Sequence, residues 1–339
     1  HDHWGFCLKN TIIKTGNEVC RDFTRCAECQ RYIGDCGNRN LPIRTRNDFL
    51  DLQFSNVDAF VFPSQYLASA YMKAGFPRHR LHVIRNGIDV ARFSGPAKTR
   101  RSGAVRLSYI GYLGEHKGIQ TIFDALPLIG RQDFELNIVG DGHLRPVLER
   151  RAAELGMQPR VRFWGKVKHS EMEEVYRNTD VQILPSIWPE NQPVSITESM
   201  ASRTAVIASN LGGNPELVID GETGYLFPAG SAVYLAEKIL HFLSDPRRIE
   251  RFGERGYERI REFTFERQAG VLLGLYDAPS APREPRLDVP LIPYFGARFD
   301  RRSCSAVEEV TKRFGRKAHR FVSWDWLSEE ELLKARAIW

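Results

Sequence analysis

The sequence contains no run of about 18 apolar residues, the length that a membrane-spanning helix requires. Its first residues also lack the apolar core of a secretory signal peptide. We therefore expect neither a membrane span nor secretion, and we take a cytoplasmic location as the default. Basic residues are not interleaved with aromatic ones, and no nucleic-acid-binding module is recognisable, so no nucleic acid partner is expected.

The charge is unevenly distributed along the 339 residues, whose formal net charge is +6. Residues 1–103 contain 16 Lys and Arg against 9 Asp and Glu, which accounts for the positive excess. Such a segment can attract acidic glycans or the anionic headgroups at the inner face of a membrane, where the protein would then be peripheral. A solvated basic face explains the same charge, and the sequence leaves both interpretations open.

A chain of this length exceeds the size of a typical single core, so two domains are expected. From residue 106 onward, apolar runs alternate with segments of helical period, which predicts βαβ units and a parallel sheet. Predicted strands are 57–63, 81–84, 106–110, 135–139, 161–164, 180–186 and 205–208. Predicted helices are 47–54, 66–75, 119–128, 143–155, 170–177, one from 195, 231–243, 247–261 and 265–276.

The stretch from Pro189 to Ala201 carries the most chemistry, because it places two carboxylates on a loop that runs into a helix. The spacing of Ser195 and Glu198 is that of a capping box, which predicts a helix start with backbone N–H groups free for an anion. As an alternative to a binding role, Glu198 could have only the structural role of capping this helix. Glu190 lies in the preceding loop, after a strand whose carboxyl end is the usual ligand edge of a parallel sheet.

A glycine-bounded turn, Gly111 to Gly118, follows the predicted strand at 106–110 and precedes a helix. Lys117 in this turn is a compact cation that could neutralise a diphosphate together with helix N–H groups. A loop lysine is also commonly only solvated. Asn86-Gly87 predicts a second turn, in which positive φ angles are tolerated.

Several separated motifs together resemble the nucleotide-sugar site of glycosyltransferase family 4, the group 1 glycosyltransferases, over about residues 57–276. The resemblance implies an α/β protein of the GT-B type, with two Rossmann-like domains facing a cleft, and a retaining reaction. The motifs are Glu190-x7-Glu198 followed by Met200-Ala201, the turn Gly212-Gly213-x-Pro215-Glu216, and Asp220-Gly221-x-x-Gly224.

The resemblance also implies the roles of individual residues. Those implied to be catalytic are His1, Lys117 and Glu190. Those implied to bind the donor are Gly111, Lys117, Gly165, Val167, Glu190, Val194, Ser195 and Glu198. Sugar transfer in this family requires no cofactor. The sequence departs from the family at Tyr112, where an arginine is usual, and His116 or a basic residue of the other domain could replace that phosphate cation.

The opening His1-Asp2-His3-Trp4 is similar to a family segment that lies inside the N-terminal domain, after a strand. We therefore expect that domain to be incomplete here; a surface His/Asp cluster is the alternative. The expected domains are 1–100, the partial acceptor-side domain; 101–277, the nucleotide-sugar-binding domain; and 278–339, a proline-rich linker with an extension of unknown role. The domain linker is expected at 92–103.

Five of the six cysteines lie within the first 36 residues. Cys7, Cys20, Cys26 and Cys29 could form a structural zinc site, although only one C-x-x-C pair is present. Free thiols explain the pattern equally well, and disulfides are disfavoured in the cytoplasm.

The sequence thus predicts a retaining glycosyltransferase of hexosyltransferase type, acting in polysaccharide or glycoconjugate biosynthesis. Its expected partners are a nucleotide-sugar donor and a glycan, a lipid-linked or another hydroxyl acceptor. The alternatives are a nucleotide-sugar-binding subunit that needs a partner chain, and a membrane scaffold that uses only the basic segment. No cofactor-lysine motif of the phosphorylase type is found.

Overall fold

The computed structural model of the chain describes residues 57–94, 103–131 and 133–278, together with residues 3, 5–7, 12, 20 and 54 and the backbone of 291–294 and 320–323. The chain divides into two compact units. The first comprises Val61–Ser69 and the described residues of His82–Tyr276. The second comprises Ala70–Leu81 and the described residues that precede Val61 or follow Tyr276.

Strand β1 (Phe60–Phe62) pairs with β2 (Leu81–Val83), and helix α1 (Gln65–Lys73) connects them. Helix α2 (Val90–Phe93) is a single turn that follows β2. The bounds of β1, β2 and α1 agree approximately with the predicted strands at 57–63 and 81–84 and the predicted helix at 66–75. The predicted helix at 47–54 falls almost wholly outside the described residues.

A parallel sheet of six described strands forms the centre of the first unit, in the order β5-β4-β3-β6-β7-β8. From β3 the chain adds strands outward on one side and then returns to add β6, β7 and β8 on the other. This is the strand order of a dinucleotide-binding fold. The strands are β3 (Val105–Ile110), β4 (Phe134–Val139), β5 (Val161–Gly165), β6 (Val181–Leu184), β7 (Ala205–Ser209) and β8 (Gly224–Phe227).

Helices cover both faces of this sheet, because alternate strand residues point to opposite sides. Leu107 and Tyr109 lie in one buried cluster, to which α3, α4 and α8 contribute, whereas Ile110 lies in a second cluster with residues of α5 and α6. The helices are α3 (Gln120–Ile129), α4 (Arg145–Glu154), α5 (Met172–Arg177), α6 (Val194–Ala201), α7 (Asn214–Leu217), α8 (Ala232–Ser244), α9 (Arg247–Ile260) and α10 (Phe265–Tyr276).

The linker predicted to begin at Arg92 is wrong at its start. The Asp89 carboxylate accepts a hydrogen bond from the Arg92 amide at 3.0 Å and caps α2, and Phe93 is buried. The Arg92 guanidinium also pairs with Glu173 at 3.0 Å. The helix predicted at 170–177 takes its start from the capping-box spacing of Ser170 and Glu173. This start is wrong as well, because α5 begins at Met172 and Glu173 binds this arginine.

Between β3 and α10, the strand β8 and the short helix α7 were not anticipated from the sequence, and neither were α2, β9 (Leu291–Tyr294) and β10 (Arg320–Ser323) in the rest of the described chain. Strand β8 begins at Gly224, where a Cβ atom would overlap the carbonyl of Val206 on β7. Glycine therefore permits the close approach of the two strands, but its presence in a turn motif concealed the strand.

The second unit contains an aromatic cluster. The rings of Phe54, Phe60 and Phe76 have centroids 5.2 to 5.3 Å apart, and Tyr71 lies 4.8 Å from Phe76. Two further strands, β9 (Leu291–Tyr294) and β10 (Arg320–Ser323), pair in parallel. No helix among the described residues is long and apolar enough to cross a membrane.

Candidate functional site

The loops that follow β3 and β6 leave the sheet side by side, at the point where the strand order reverses. The first is residues 111–118 and the second is residues 185–193. In open α/β sheets this switch point, at the carboxyl ends of the strands, is where ligands bind. The site described below lies entirely within the first unit.

Lys117 and Glu190 form an ion pair across these two loops. The Lys117 Nζ lies 2.7 Å from the Glu190 Oε1, and the side chains are 23% and 9% exposed. The Ser186 hydroxyl donates a second hydrogen bond to the same oxygen, at 2.7 Å. Gly118 has a φ of 65°, and a Cβ atom there would overlap the carbonyl of Pro185. Glycine at this position thus lets the lysine turn lie against the β6 loop.

Trp188 lies beside this ion pair. The Lys117 Nζ is 5.7 Å from the centroid of its ring, and His116 contacts the ring edge-to-face at 5.7 Å. The carbonyl of His116 accepts hydrogen bonds from the amides of Ile187 and Trp188. Burial lowers the pKa of His116, and the charge of Lys117 lowers it further. Both effects disfavour the charged form of His116 in the protein without ligand.

Tyr112, the position where the family usually has arginine, begins a chain of three polar side chains. Its hydroxyl lies 3.0 Å from the Nδ1 of His143, whose Nε2 lies 2.6 Å from a carboxylate oxygen of Glu115. All three side chains are about half exposed. A tyrosine whose hydroxyl contacts a histidine thus stands at the sequence position where the family usually has arginine.

The paired glycines after β7 support the loop that carries Glu190. The Gly213 amide donates to the Glu190 carbonyl at 2.6 Å, and Gly212 has a φ of 65°. A Cβ atom on Gly212 would overlap the backbone of Glu190, and one on Gly213 would overlap that of Asn191. Glycine at both positions therefore lets this backbone lie directly against the backbone of Glu190 and Asn191.

Helix α6 begins at Val194 instead of at Ser195, and the predicted capping box is wrong. Pro193 occupies the N-cap position in an extended conformation, and its carbonyl accepts the two amides that follow Ser195, at 3.1 and 3.4 Å. Within the described part of the chain, the amides of Val194 and Ser195 have no acceptor. Val194 is exposed and Ser195 half-buried, so this helix start is an accessible pair of donors for an anion.

Glu198 lies one turn into α6 and makes none of the contacts of a cap. Its Oε2 accepts a 2.7 Å hydrogen bond from the Tyr176 hydroxyl, and its Oε1 lies 3.7 Å from the Nδ1 of His169. Burial raises the pKa of the Glu198 carboxyl, while the Tyr176 hydroxyl and the charges of His169 and Arg92 act in the opposite direction. A buried carboxylate with a fixed partner on one oxygen is suited to accept further hydrogen bonds on the other.

Three glycines line the carboxyl ends of β3, β4 and β5. The Gly140 amide donates to the Gly165 carbonyl at 2.8 Å, and a Cβ atom on Gly140 would overlap the carbonyl of Gly111. Gly140 therefore contacts both of the predicted donor-site residues, Gly111 and Gly165. Val167 follows, half-buried against the second cluster.

The remaining predicted residues are in the N-terminal part of the chain. His1, Cys26 and Cys29 lie outside the described residues. Cys7 and Cys20 are partly exposed. In the described part of the chain, no three His, Cys, Asp or Glu side chains are grouped so that they could hold a metal ion. The zinc site has no support and stays a prediction.

Two glutamines that sequence reasoning missed hold the Asn86-Gly87 turn. Gln192 accepts from the Asn86 amide at 2.8 Å and donates to its carbonyl at 3.1 Å, and Gln268 accepts from the Gly87 amide at 2.9 Å. The explanation by positive φ is wrong, because neither turn residue has one. Glycine is needed at position 87 because the backbone of Phe265 would overlap a Cβ atom.

Comparison with known proteins gives two matching family models. Residues 96–259 match the model described as glycosyl transferases group 1, and residues 36–92 match glycosyltransferase family 4. A glycogen synthase of Mycobacterium tuberculosis is 30% identical over 214 residues, which are 62% of this chain and 51% of that protein. A phosphatidyl-myo-inositol mannosyltransferase of Mycobacterium leprae is 30% identical over 199 residues, 57% of this chain and 52% of that protein. The chain spans about half the length of these curated relatives.

Solved structures show the same fold. Anabaena HepE in complex with UDP superposes with a TM-score of 0.63 at 21% identity, covering 73% of this chain and 70% of that one. Sucrose-phosphate synthase from Thermosynechococcus elongatus gives a TM-score of 0.61 at 25% identity, covering 73% and 64%. The predicted fold class, α/β of the GT-B type, is confirmed.

Proposed function

Because the chain belongs to the group 1 glycosyltransferases of family 4, we propose that it transfers a sugar from a nucleotide-diphosphate donor to a hydroxyl group of an acceptor, with retention of anomeric configuration. The names of the glycogen synthase and mannosyltransferase relatives support a hexose as the transferred sugar. The acceptor under this proposal is a glycan or a lipid-linked or other hydroxyl compound.

The observation that carries the proposal is the Lys117–Glu190 ion pair at the switch point of the sheet. It brings a cation and a carboxylate to 2.7 Å in a crevice where α/β folds bind nucleotides. Glu198 lies eight positions after Glu190 and is buried at the same edge. A donor carries matching groups in order: a sugar, a diphosphate and a ribose.

Each group of the donor has a proposed protein partner. Lys117 and the amides of Val194 and Ser195 bind the diphosphate, since a helix start and a lysine both favour negative charge. Glu190 accepts hydrogen bonds from the sugar hydroxyls, and Glu198 accepts them from the ribose. The backbone near Gly165 holds the nucleotide base.

The proposed chemistry follows from these charges. The bond between the anomeric carbon and the phosphate oxygen breaks, and Lys117 stabilises the negative charge that develops on that oxygen. The acceptor hydroxyl forms the new bond on the same face, and its proton passes to the departing phosphate oxygen. No dedicated carboxylate base is required, and a protein cation takes the part that a divalent metal takes in other transferases. His1 is proposed as a further catalytic residue from its motif.

A second function, a nucleotide-sugar-binding subunit that needs a partner chain, is favoured by one observation. Tyr112 stands where the family usually has an arginine, so position 112 supplies no cation for the phosphates. A partner polypeptide could supply it. Purification of a stable second chain, with transfer activity only in its presence, would select this alternative.

Calorimetric titration with UDP, GDP and ADP, with Glu198→Ala as the comparison, tests the proposal. Saturable binding of one nucleotide, weakened in the variant, is expected and identifies the base. Incubation of the matching nucleotide sugar with an acceptor library, followed by NMR of the anomeric proton, then tests retention. If none of the three nucleotides binds, the donor site and the proposed function are both refuted.

A further inference from the structure

Tyr176 lies on α5, beneath the start of α6, and it is fully buried. Its hydroxyl is 2.7 Å from the Oε2 of Glu198 and 3.4 Å from the carbonyl oxygen of Ser195. A phenol has one proton to donate, and the carboxylate is both the closer and the more strongly accepting group. The tyrosine therefore donates to Glu198.

Packing holds the ring of Tyr176 in place. It belongs to the second buried cluster, and the ring of Phe93 lies against it at a centroid distance of 5.8 Å, edge to face. A side chain packed in this way cannot change rotamer without opening the core. The hydroxyl is thus a fixed donor, and it fixes the rotation of the Glu198 carboxylate.

The second oxygen of Glu198 faces outward. Oε1 lies 3.7 Å from His169 Nδ1, and the His169 side chain is 65% exposed although Glu198 is buried. Arg92 donates to the His169 carbonyl and to Glu173, which anchors the turn that carries this histidine. One oxygen therefore points into the core and the other toward the surface.

We propose that Tyr176 is a positioning residue for donor binding: its hydroxyl holds one oxygen of Glu198 so that the other is presented to the ribose hydroxyls of the nucleotide. This inference rests on the proposed function. It assigns no contact between Tyr176 and the donor.

The electrostatics of the cluster agree with this role. Burial raises the pKa of Glu198, and the hydrogen bond from Tyr176 is the largest effect that lowers it. Among the described residues, the other charged groups that act on Glu198 are His169 and Arg92, and Arg92 is shared with Glu173. Removal of the phenolic hydroxyl should therefore raise the pKa of Glu198 further and leave a neutral carboxyl over a wider range of pH.

The test replaces Tyr176 by phenylalanine and uses Tyr225→Phe as the matched control. Tyr225 is also a buried tyrosine, but its hydroxyl accepts from Arg248 at 2.7 Å, away from the site. Both variants and the wild type are titrated, across a pH series, with the nucleoside diphosphate that binds and with its 2′-deoxy form. The wild type should prefer the ribonucleotide.

In Tyr176→Phe the affinity for the ribonucleotide should fall about tenfold, the magnitude of a lost hydrogen bond to a charged group. The preference over the 2′-deoxy form should narrow, and part of the loss should be recovered at high pH, where Glu198 is again ionised. Tyr225→Phe should change neither quantity. A purely structural role would weaken both nucleotides equally at every pH.

The double variant Tyr176→Phe/Glu198→Gln, together with the two single variants, completes a double-mutant cycle of nucleotide affinity. Thermal unfolding confirms that each protein is folded. It should bind no more weakly than Glu198→Gln alone, because the tyrosine acts through the carboxylate. An unchanged ribose preference in Tyr176→Phe, or full additivity in the cycle, refutes this inference. If the wild type itself binds no nucleotide, the proposed function is refuted instead. Failure of the role of Tyr176 can thus be distinguished from failure of the proposed function.

Discussion

Replacement of Lys117 by methionine tests the site most directly, because it removes the ammonium but keeps an unbranched side chain that extends as far as Cε. Breaking a buried ion pair by removing one partner costs about 3–5 kcal/mol. Lys117 is 23% exposed, and Glu190 keeps the hydrogen bond from Ser186, so water and the hydroxyl compensate in part. We expect a loss of about 2 kcal/mol in the free energy of unfolding.

The effect of Lys117→Met on transfer should be larger than its effect on folding. Loss of one preorganised donor at a developing charge costs about 2.7–4 kcal/mol of barrier. We therefore expect kcat to fall by roughly a hundredfold to a thousandfold. Initial rates of nucleoside diphosphate release measure this quantity, and thermal and urea unfolding measure stability.

Glu190→Gln and the double variant Lys117→Met/Glu190→Gln separate the effect on stability from the effect on transfer. The double variant removes both charges of the ion pair, so its stability should return toward that of the wild type while its transfer rate stays low. Lys238→Met is the matched control, because Lys238 pairs with Glu237 at 3.1 Å on helix α8, where such pairs contribute at most about 1 kcal/mol. A rate for Lys117→Met within a few fold of the wild type would refute the assignment of Lys117 to the diphosphate.

Three other predictions follow from the site. In Gly213→Ala the new Cβ overlaps Asn191, so we expect about 1–3 kcal/mol lower stability and weaker nucleotide binding, by unfolding and titration; Gly274→Ala, with open space around it, should show neither. Glu216 accepts hydrogen bonds from the first two amides of α1, so Glu216→Ala should lower the free energy of unfolding by about 1 kcal/mol, as for a lost helix cap, and urea unfolding measures this loss. The raised pKa of Glu198 means that nucleotide affinity should fall as pH drops through that pKa, while the protein without nucleotide should lose stability as pH rises through it; a Glu198→Gln variant with the same two pH profiles would contradict this.

The residues of the ion pair could be predicted from the sequence for a simple physical reason. Lys117 and Glu190 each follow a short buried strand, and the carboxyl ends of neighbouring parallel strands meet at one edge. Local pattern marked both as candidates and the family resemblance implied their roles, whereas their 2.7 Å contact depends on the order of the strands. That order is set by packing of the whole sheet.

The capping box predicted at Ser195 and Glu198 is wrong because other residues bind the groups that the local pattern pairs with each other. Ser195 has capping-box spacing to Glu198, but the carbonyl of Pro193 accepts the helix amides and Tyr176, on another helix, takes the carboxylate. Spacing rules describe contacts within one or two turns, and they contain no information about a side chain 22 positions upstream. The partner of a buried carboxylate therefore has to be found in the fold.

Under the proposed function, the Lys117–Glu190 pair also constrains how a donor can bind. Glu190 is almost fully buried, and its Oε1 receives hydrogen bonds from both Lys117 and Ser186. A diphosphate that binds the ammonium draws it away from this oxygen and leaves the carboxylate with one donor. Sugar hydroxyls restore what Glu190 loses, because they donate to the same carboxylate. Under the proposed function, a nucleotide sugar therefore satisfies both charges of the pair, whereas a diphosphate alone satisfies one at the expense of the other. This difference would favour the intact donor over the product that leaves.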